Sequence, residues 1–267
     1  MSEVTATAVD RMKARLSTAY ALSVYLPMSR AAAVIRSASR RLRGKRSSGV
    51  AGNSPIQTVD WWKVVPRCAA RLVETKKRHG NVRISELAVL AQAAAQAEPG
   101  SDIVEIGTFD GRTTLNLAVN APQGCHVLTL DLPADHATAF AIEESERTLV
   151  DKPASGERIR TCSPAWRSYA GRITQLFGDS ASFDWSRYHG RAGLVFVDGS
   201  HAYDYARKDS ETALQLVRPG GVVLWHDYGV WPGVTQALDE LESRRHLGLV
   251  NIKGSSLVFW RAPGADS

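Results

Sequence analysis

The chain is short of the residues that would tie it to a disulfide scaffold, a cysteine metal site or a membrane. It has three cysteines, Cys68, Cys125 and Cys162, with no CxxC spacing. Scattered, odd-numbered cysteines argue against a disulfide framework or a zinc site and suit a reducing cytoplasm. No apolar run reaches the roughly twenty residues that a bilayer span requires. The longest uncharged N-terminal stretch, Leu16 to Ser29, is short and contains Pro27. No internal repeat is visible, and the GxGxxG spacing of a dinucleotide loop is missing. Aromatic residues are only 7% against 44% hydrophobic overall, which fits an ordinary globular core.

Charge is unevenly spread. The net charge is +6, but residues 1–55 hold ten Lys/Arg against Glu3 and Asp10, leaving 23 basic and 25 acidic residues in the remainder. The basicity therefore belongs to an Ala/Ser/Arg-rich N-terminal extension, residues 1–55, and the domain proper occupies 56–267. Two helical pieces are expected in the extension, one on either side of Pro27. The second ends in Arg40, Arg41, Arg43, Lys45 and Arg46, and a Ser/Gly-rich linker runs from Ser47 to Pro55. Contact with an anionic membrane surface, organellar targeting and an oligomerisation arm are the competing uses of such a segment, beside a solvated tail. A basic tail also raises nucleic-acid binding, which the slightly acidic domain argues against.

From Thr58 the apolar spacing predicts helices at Pro66–Lys77 and Ser85–Glu98, the latter capped by Ser85. Strands and helices then alternate: Ile103–Ile106, a helix from Thr113, Val127–Leu130, Ile173–Phe177, Gly193–Val197, a helix Tyr203–Leu216, Val222–Trp225 and a helix Val234–Arg244. Leu249–Ile252 and Leu257–Trp260 are placed to form an antiparallel hairpin. Such alternation predicts a parallel sheet with helices on both faces. Pro133 to Arg167 is polar and weakly patterned, and with the N-terminal helices it is the expected acceptor lid.

Four strand ends carry acids: Glu105, Asp131, Asp179 and Asp198. In an open α/β sheet the carboxyl ends of the strands line the ligand crevice, so like charges gathered on one rim point to a ligand. Glu105-Ile106-Gly107 through Gly111, Asp131, Gly178-Asp179-Ser180 and Leu216-Val217-Arg218-Pro219-Gly220-Gly221, in that order, resemble a class I S-adenosylmethionine-dependent methyltransferase over about residues 80–262. The resemblance implies an α/β, Rossmann-like doubly wound sheet, mostly parallel with a reversed last strand. It also implies that Gly107 and Gly111 shape the loop under the methionine part, with Glu105 near the amino-acid end. Asp131 would bind the ribose hydroxyls, and Asp179 with Ser180 would face the adenine. A nicotinamide oxidoreductase is the rival on this scaffold, but the loop here is ExGxxxG.

A second patch pairs Asp198-Gly199-Ser200-His201 with Trp225-His226-Asp227. Asp198, His226 and Asp227 can converge on Mg²⁺ or another divalent ion, and His201 can act as general base near neutral pH. Trp231 is a candidate wall of the acceptor pocket. The patch resembles the metal-dependent O-methyltransferases of the catechol and caffeoyl-CoA type and sugar O-methyltransferases of antibiotic pathways. It departs from the catechol pattern in placing His226 where a carboxylate stands and His201 where a lysine base stands. The implied partner is a small-molecule acceptor carrying a hydroxyl.

Overall fold

Side chains alternate across a strand with a period of two, and here that alternation divides one buried sheet between two cores. Ile103, Val127, Leu194, Phe196, Val222 and Leu224 enter one core. Their neighbours Val104, Leu128, Val195, Val197, Val223 and Trp225 enter the other. The computed structural model describes residues 8–25, 54–133, 135–142, 144–146 and 154–265.

The strands are β1 (Gln57–Val59), β2 (Asp102–Ile106), β3 (His126–Asp131), β4 (Ile173–Phe177), β5 (Ala192–Val197), β6 (Val217–Trp225), β7 (Val250–Ile252) and β8 (Val258–Arg261). They form one sheet in the order β1-β7-β8-β6-β5-β2-β3-β4. Only β8 runs against its neighbours β6 and β7, so the reversed last strand and the terminal hairpin are as expected. The short edge strand β1, parallel to β7, was not anticipated.

The described helices are α1 (Ala8–Tyr20), α2 (Ile84–Ala94), α3 (Arg112–Asn120), α4 (Glu157–Thr161), α5 (Arg167–Ala170), α6 (Tyr203–Leu216) and α7 (Pro232–Arg245). Helices α2 and α3 cover one face of the sheet, and α6 and α7 the other. Ten of the eleven residues of α2 are buried, so this helix is enclosed rather than amphipathic. Its cap is Arg83 instead of Ser85: the Glu86 carboxylate returns to the Arg83 N–H at 2.9 Å, the half of a capping box that the acid at the third helical position supplies.

The expected helix over Pro66–Lys77 is absent, and the reason lies on α3. Arg112, Asn116 and Asn120 recur every four residues and are buried, so they form one polar row. Asn120 pairs with both the N–H and C=O of Arg71, each at 2.7 Å. Asn116 does the same for Val73 at 2.9 Å. Arg112 donates to the carbonyls of Glu74, Thr75 and Val82. The row satisfies the backbone of an extended segment as a neighbouring strand would, and a helix there would forgo these bonds.

The described part of the N-terminal extension is α1 and a wide turn, Ala21–Tyr25. Ala14, Thr18 and Ala21 are buried, and the Ala14 carbonyl accepts from Leu72 N–H at 3.0 Å. The rest of the extension, including the Arg40–Arg46 cluster and most of the linker, lies outside the described residues. No described helix is long and apolar enough to cross a membrane.

Replacing Asn116 by Ala strands a buried N–H and C=O at Val73. We expect a loss of roughly 2–4 kcal/mol, read by denaturant unfolding; a loss below about 0.5 kcal/mol would contradict the bracing role.

Candidate active site

Strand β2 sits between β3 and β5, so the chain reverses its direction of travel across the sheet there, and the crevice of such a sheet opens at that point. Backbone hydrogen bonds bind the strand tips edge to edge. Gly107 N–H donates to Leu130 O at 2.8 Å, Asp198 N–H to Ile106 O at 2.8 Å, His226 N–H to Val197 O at 3.0 Å and Gly178 N–H to Asp131 O at 3.0 Å. Gly107 has φ +98°, and a Cβ there would fall on the Asp198 carbonyl. Only glycine allows this approach. A cavity of about 500 Å³ lies over these tips, within the size range of small-molecule sites.

Of the residues expected to face a donor molecule, Gly107, Asp131, Asp179 and Ser180 border the cavity. The Asp131 carboxylate accepts the Ser155 hydroxyl, and Asp179 accepts the Ala139 N–H at 2.7 Å. Glu105 and Gly111 stand outside the cavity wall. Gly111 is crowded by Ile159 of α4. Glu105 points to the α3 side of the sheet, where Oε2 accepts the hydroxyls of Thr114 and, at 2.6 Å, Thr129. Complete burial pushes its pKa up to about 8.

The second patch converges, but not in the expected combination. The carboxylates of Asp198 and Asp227 and a ring nitrogen of His201 all lie within 4.8 Å of one another. His226 stands behind them with both ring nitrogens engaged: Nδ1 meets Asp198 at 2.9 Å and Asp227 at 3.3 Å, and Nε2 meets Glu86 at 3.2 Å. Burial alone would discharge His226, yet Asp198, Glu86 and Asp227 hold it well above an ordinary imidazole. It acts as a buried cation bracing two carboxylates. His201 also differs from a base near neutrality. Burial opposes its charge, but Asp227 at 2.8 Å from Nε2 and Glu146 at Nδ1 outweigh that and push it up to about 9. Trp231 stacks on the His201 ring at 4.4 Å with the planes 3° apart.

Three further acids stand at or beside the site. Glu86 is wholly buried and also accepts from Ser256 N–H and Oγ at 2.9 Å. Glu146 binds the His201 N–H and the Ser200 hydroxyl at 2.9 Å. Asp209 of α6 is wholly buried beside Gly199, and burial raises its pKa to about 7 against the opposing hydrogen bond from Ser180. One signal existed for the first: an acid at the third helical position is the capping-box residue. Asp227 has φ +64°, a left-handed conformation that costs energy and often marks functional sites.

Around the imidazoles, four carboxylates (Glu86, Glu146, Asp198 and Asp227) meet two rings and the Arg83 guanidinium. With both rings charged, one negative charge remains in excess. That excess favours a cationic ligand.

The raised pKa of Glu105 fixes a pH dependence. The folded chain keeps a proton that the unfolded chain releases near pH 4.5, so stability falls between about pH 4.5 and 8 and levels above. Glu105→Gln should flatten this slope and raise the melting temperature at pH 8. An unchanged slope in calorimetric scans would contradict the assignment.

Residues 104–228, which contain every strand tip described above, match a family model described as a methyltransferase domain. Among solved structures, the O-methyltransferase NovP is 18% identical over 68% of this chain and 81% of its own, with a TM-score of 0.53. The O-methyltransferase TomG from Streptomyces achromogenes, solved with S-adenosylmethionine, is 18% identical over 72% of this chain and 93% of its own, with a TM-score of 0.48. No curated protein matches the sequence. The likeness to NovP shows the fold, and the family match falls on the segment that builds the crevice. Residues 104–228 are thus those of a methyltransferase domain.

Proposed function

We propose that this enzyme methylates a hydroxyl oxygen of a small molecule, with a divalent cation assisting at Asp198 and Asp227. The observation that carries the reading is the meeting of Asp198, His201 and Asp227 at the edge of the donor crevice. Two carboxylates suit a hard divalent ion, and the excess negative charge around them supports the fit. The cavity of about 500 Å³ must hold donor and acceptor together, which favours a small acceptor.

When bound, S-adenosylmethionine supplies a methyl carbon made electrophilic by positive sulfur, and a divalent cation supplies a Lewis acid for the acceptor oxygen. Asp131 would take the ribose hydroxyls, Asp179 and Ser180 the adenine, and Gly107 the close backbone approach beneath the methionine part. Glu105 serves as a buried brace that ties β2 to β3 and α3 through Thr129 and Thr114. Asp198 and Asp227 would hold the cation, and His226 fixes their carboxylates from behind. Before transfer His201 would release its Nε2 proton to solvent, and the neutral ring would then take the proton of the acceptor hydroxyl at that atom. Glu146 and Trp231 keep the ring in place during that transfer. Much of the rate in such a reaction comes from aligning oxygen, carbon and sulfur.

Asp131→Asn should weaken S-adenosylhomocysteine binding by roughly 1.5–3 kcal/mol in calorimetric titration, and unchanged affinity would refute the ribose role. Asp198→Asn and Asp227→Asn should each weaken Mn²⁺ binding at least about tenfold while sparing S-adenosylhomocysteine. Wild-type protein that binds no Mn²⁺, or transfers methyl groups in saturating EDTA, would remove the cation from the account.

A further inference from the structure

The cavity has an acidic floor and a basic lip. Asp131, Asp179, Glu146, Asp198, Asp227 and Glu86 all border it. At the mouth stand Lys77 and His79, both exposed. Neither makes an ion pair or hydrogen bond with any described residue. Their neighbours are already engaged: Arg78 pairs with Glu157 at 2.5 Å, and Arg83 with Glu86.

The segment carrying this lip has no regular structure, yet it is fixed on both sides of its tip. Arg112 holds the Glu74, Thr75 and Val82 carbonyls. Asn81 Nδ2 donates to Asp110 at 2.9 Å, and Asn81 Oδ1 accepts the Arg78 N–H at 2.9 Å. Asp110 is itself buried and paired with Arg158 at 2.9 Å. Buried polar side chains that immobilise an irregular loop serve to place what the loop carries. What this loop carries into the cavity is a lysine and a histidine with no partner among the described residues.

We infer that Lys77 and His79 form an anion subsite, which takes a carboxylate or phosphate group of a ligand whose remainder lies in the cavity. The acids of the floor repel such a group, so it is driven to the lip while the uncharged or cationic parts go deeper. The anion has two sources, the carboxylate of the methyl donor's amino-acid end or an acidic group on the acceptor. The methyltransferase reading is needed only to name these sources.

The test titrates three probes, without metal, into wild type and the double variant Lys77→Ala/His79→Ala. The probes are S-adenosylhomocysteine, methylthioadenosine (which lacks the amino-acid end) and inorganic phosphate. If the donor supplies the anion, the variant loses about tenfold or more in affinity for S-adenosylhomocysteine and none for methylthioadenosine. If the acceptor supplies it, both nucleosides bind unchanged while saturable phosphate binding by the wild type is weakened at least about tenfold. Either result upholds the subsite. It is overturned if the variant binds every probe as the wild type does, phosphate failing to bind either included. Should the wild type bind neither nucleoside, the donor reading fails, and phosphate alone decides the subsite.

Discussion

The site depends on one close approach, between the backbone at Gly107 and the carbonyl of Asp198. The two residues end β2 and β5, the central strands that flank the reversal of the sheet. Because no Cβ stands between them, the Ile106 carbonyl and Asp198 N–H can close at 2.8 Å. The donor crevice of one strand and the acid–histidine cluster of the other thereby share a single wall. A methyl donor on one side and an acceptor on the other need that adjacency for an in-line transfer.

Around this wall, charge is managed in opposite ways on the two faces of the sheet. On the α3 side, Glu105 is buried among threonine hydroxyls and burial favours its neutral form. Over the strand ends, carboxylates are held ionised by His201, His226 and Arg83. The first arrangement braces β2; the second stores negative charge beside the cavity. The α3 row of Arg112, Asn116 and Asn120 adds a third use of buried polarity, because it holds an irregular segment against the crevice without a strand partner. A buried network satisfied as this row is fixes one arrangement in preference to others.

Much of this was legible in the amino-acid order. Strand interiors are mostly apolar runs, and glycines and acids gather at their tips, so Gly107, Asp131, Asp179 and Asp198 announced both strand end and crevice. The segment after Pro66 was misread because its apolar spacing imitates a helix. Its true partners, Asn116 and Asn120, lie more than forty residues on in sequence and carry no local mark. Glu146 was invisible for the same reason, and Glu86 showed only as an acid in the first turn of a helix: each looks like a surface acid until the fold sets it against a histidine. His226 and His201 were singled out in the sequence, but that Glu86 closes on one ring and Glu146 on the other is a matter of packing, not of pattern.

The central claim is that a single rim of strand tips holds the methyl donor with its sulfur toward the acid–histidine cluster. The most direct measurement is a crystal structure of the protein with S-adenosylhomocysteine. The account predicts the ribose hydroxyls on the Asp131 carboxylate and the sulfur above Gly107, facing Asp198, His201 and Asp227. Ribose bound away from Asp131, or a sulfur turned from that cluster, would contradict it.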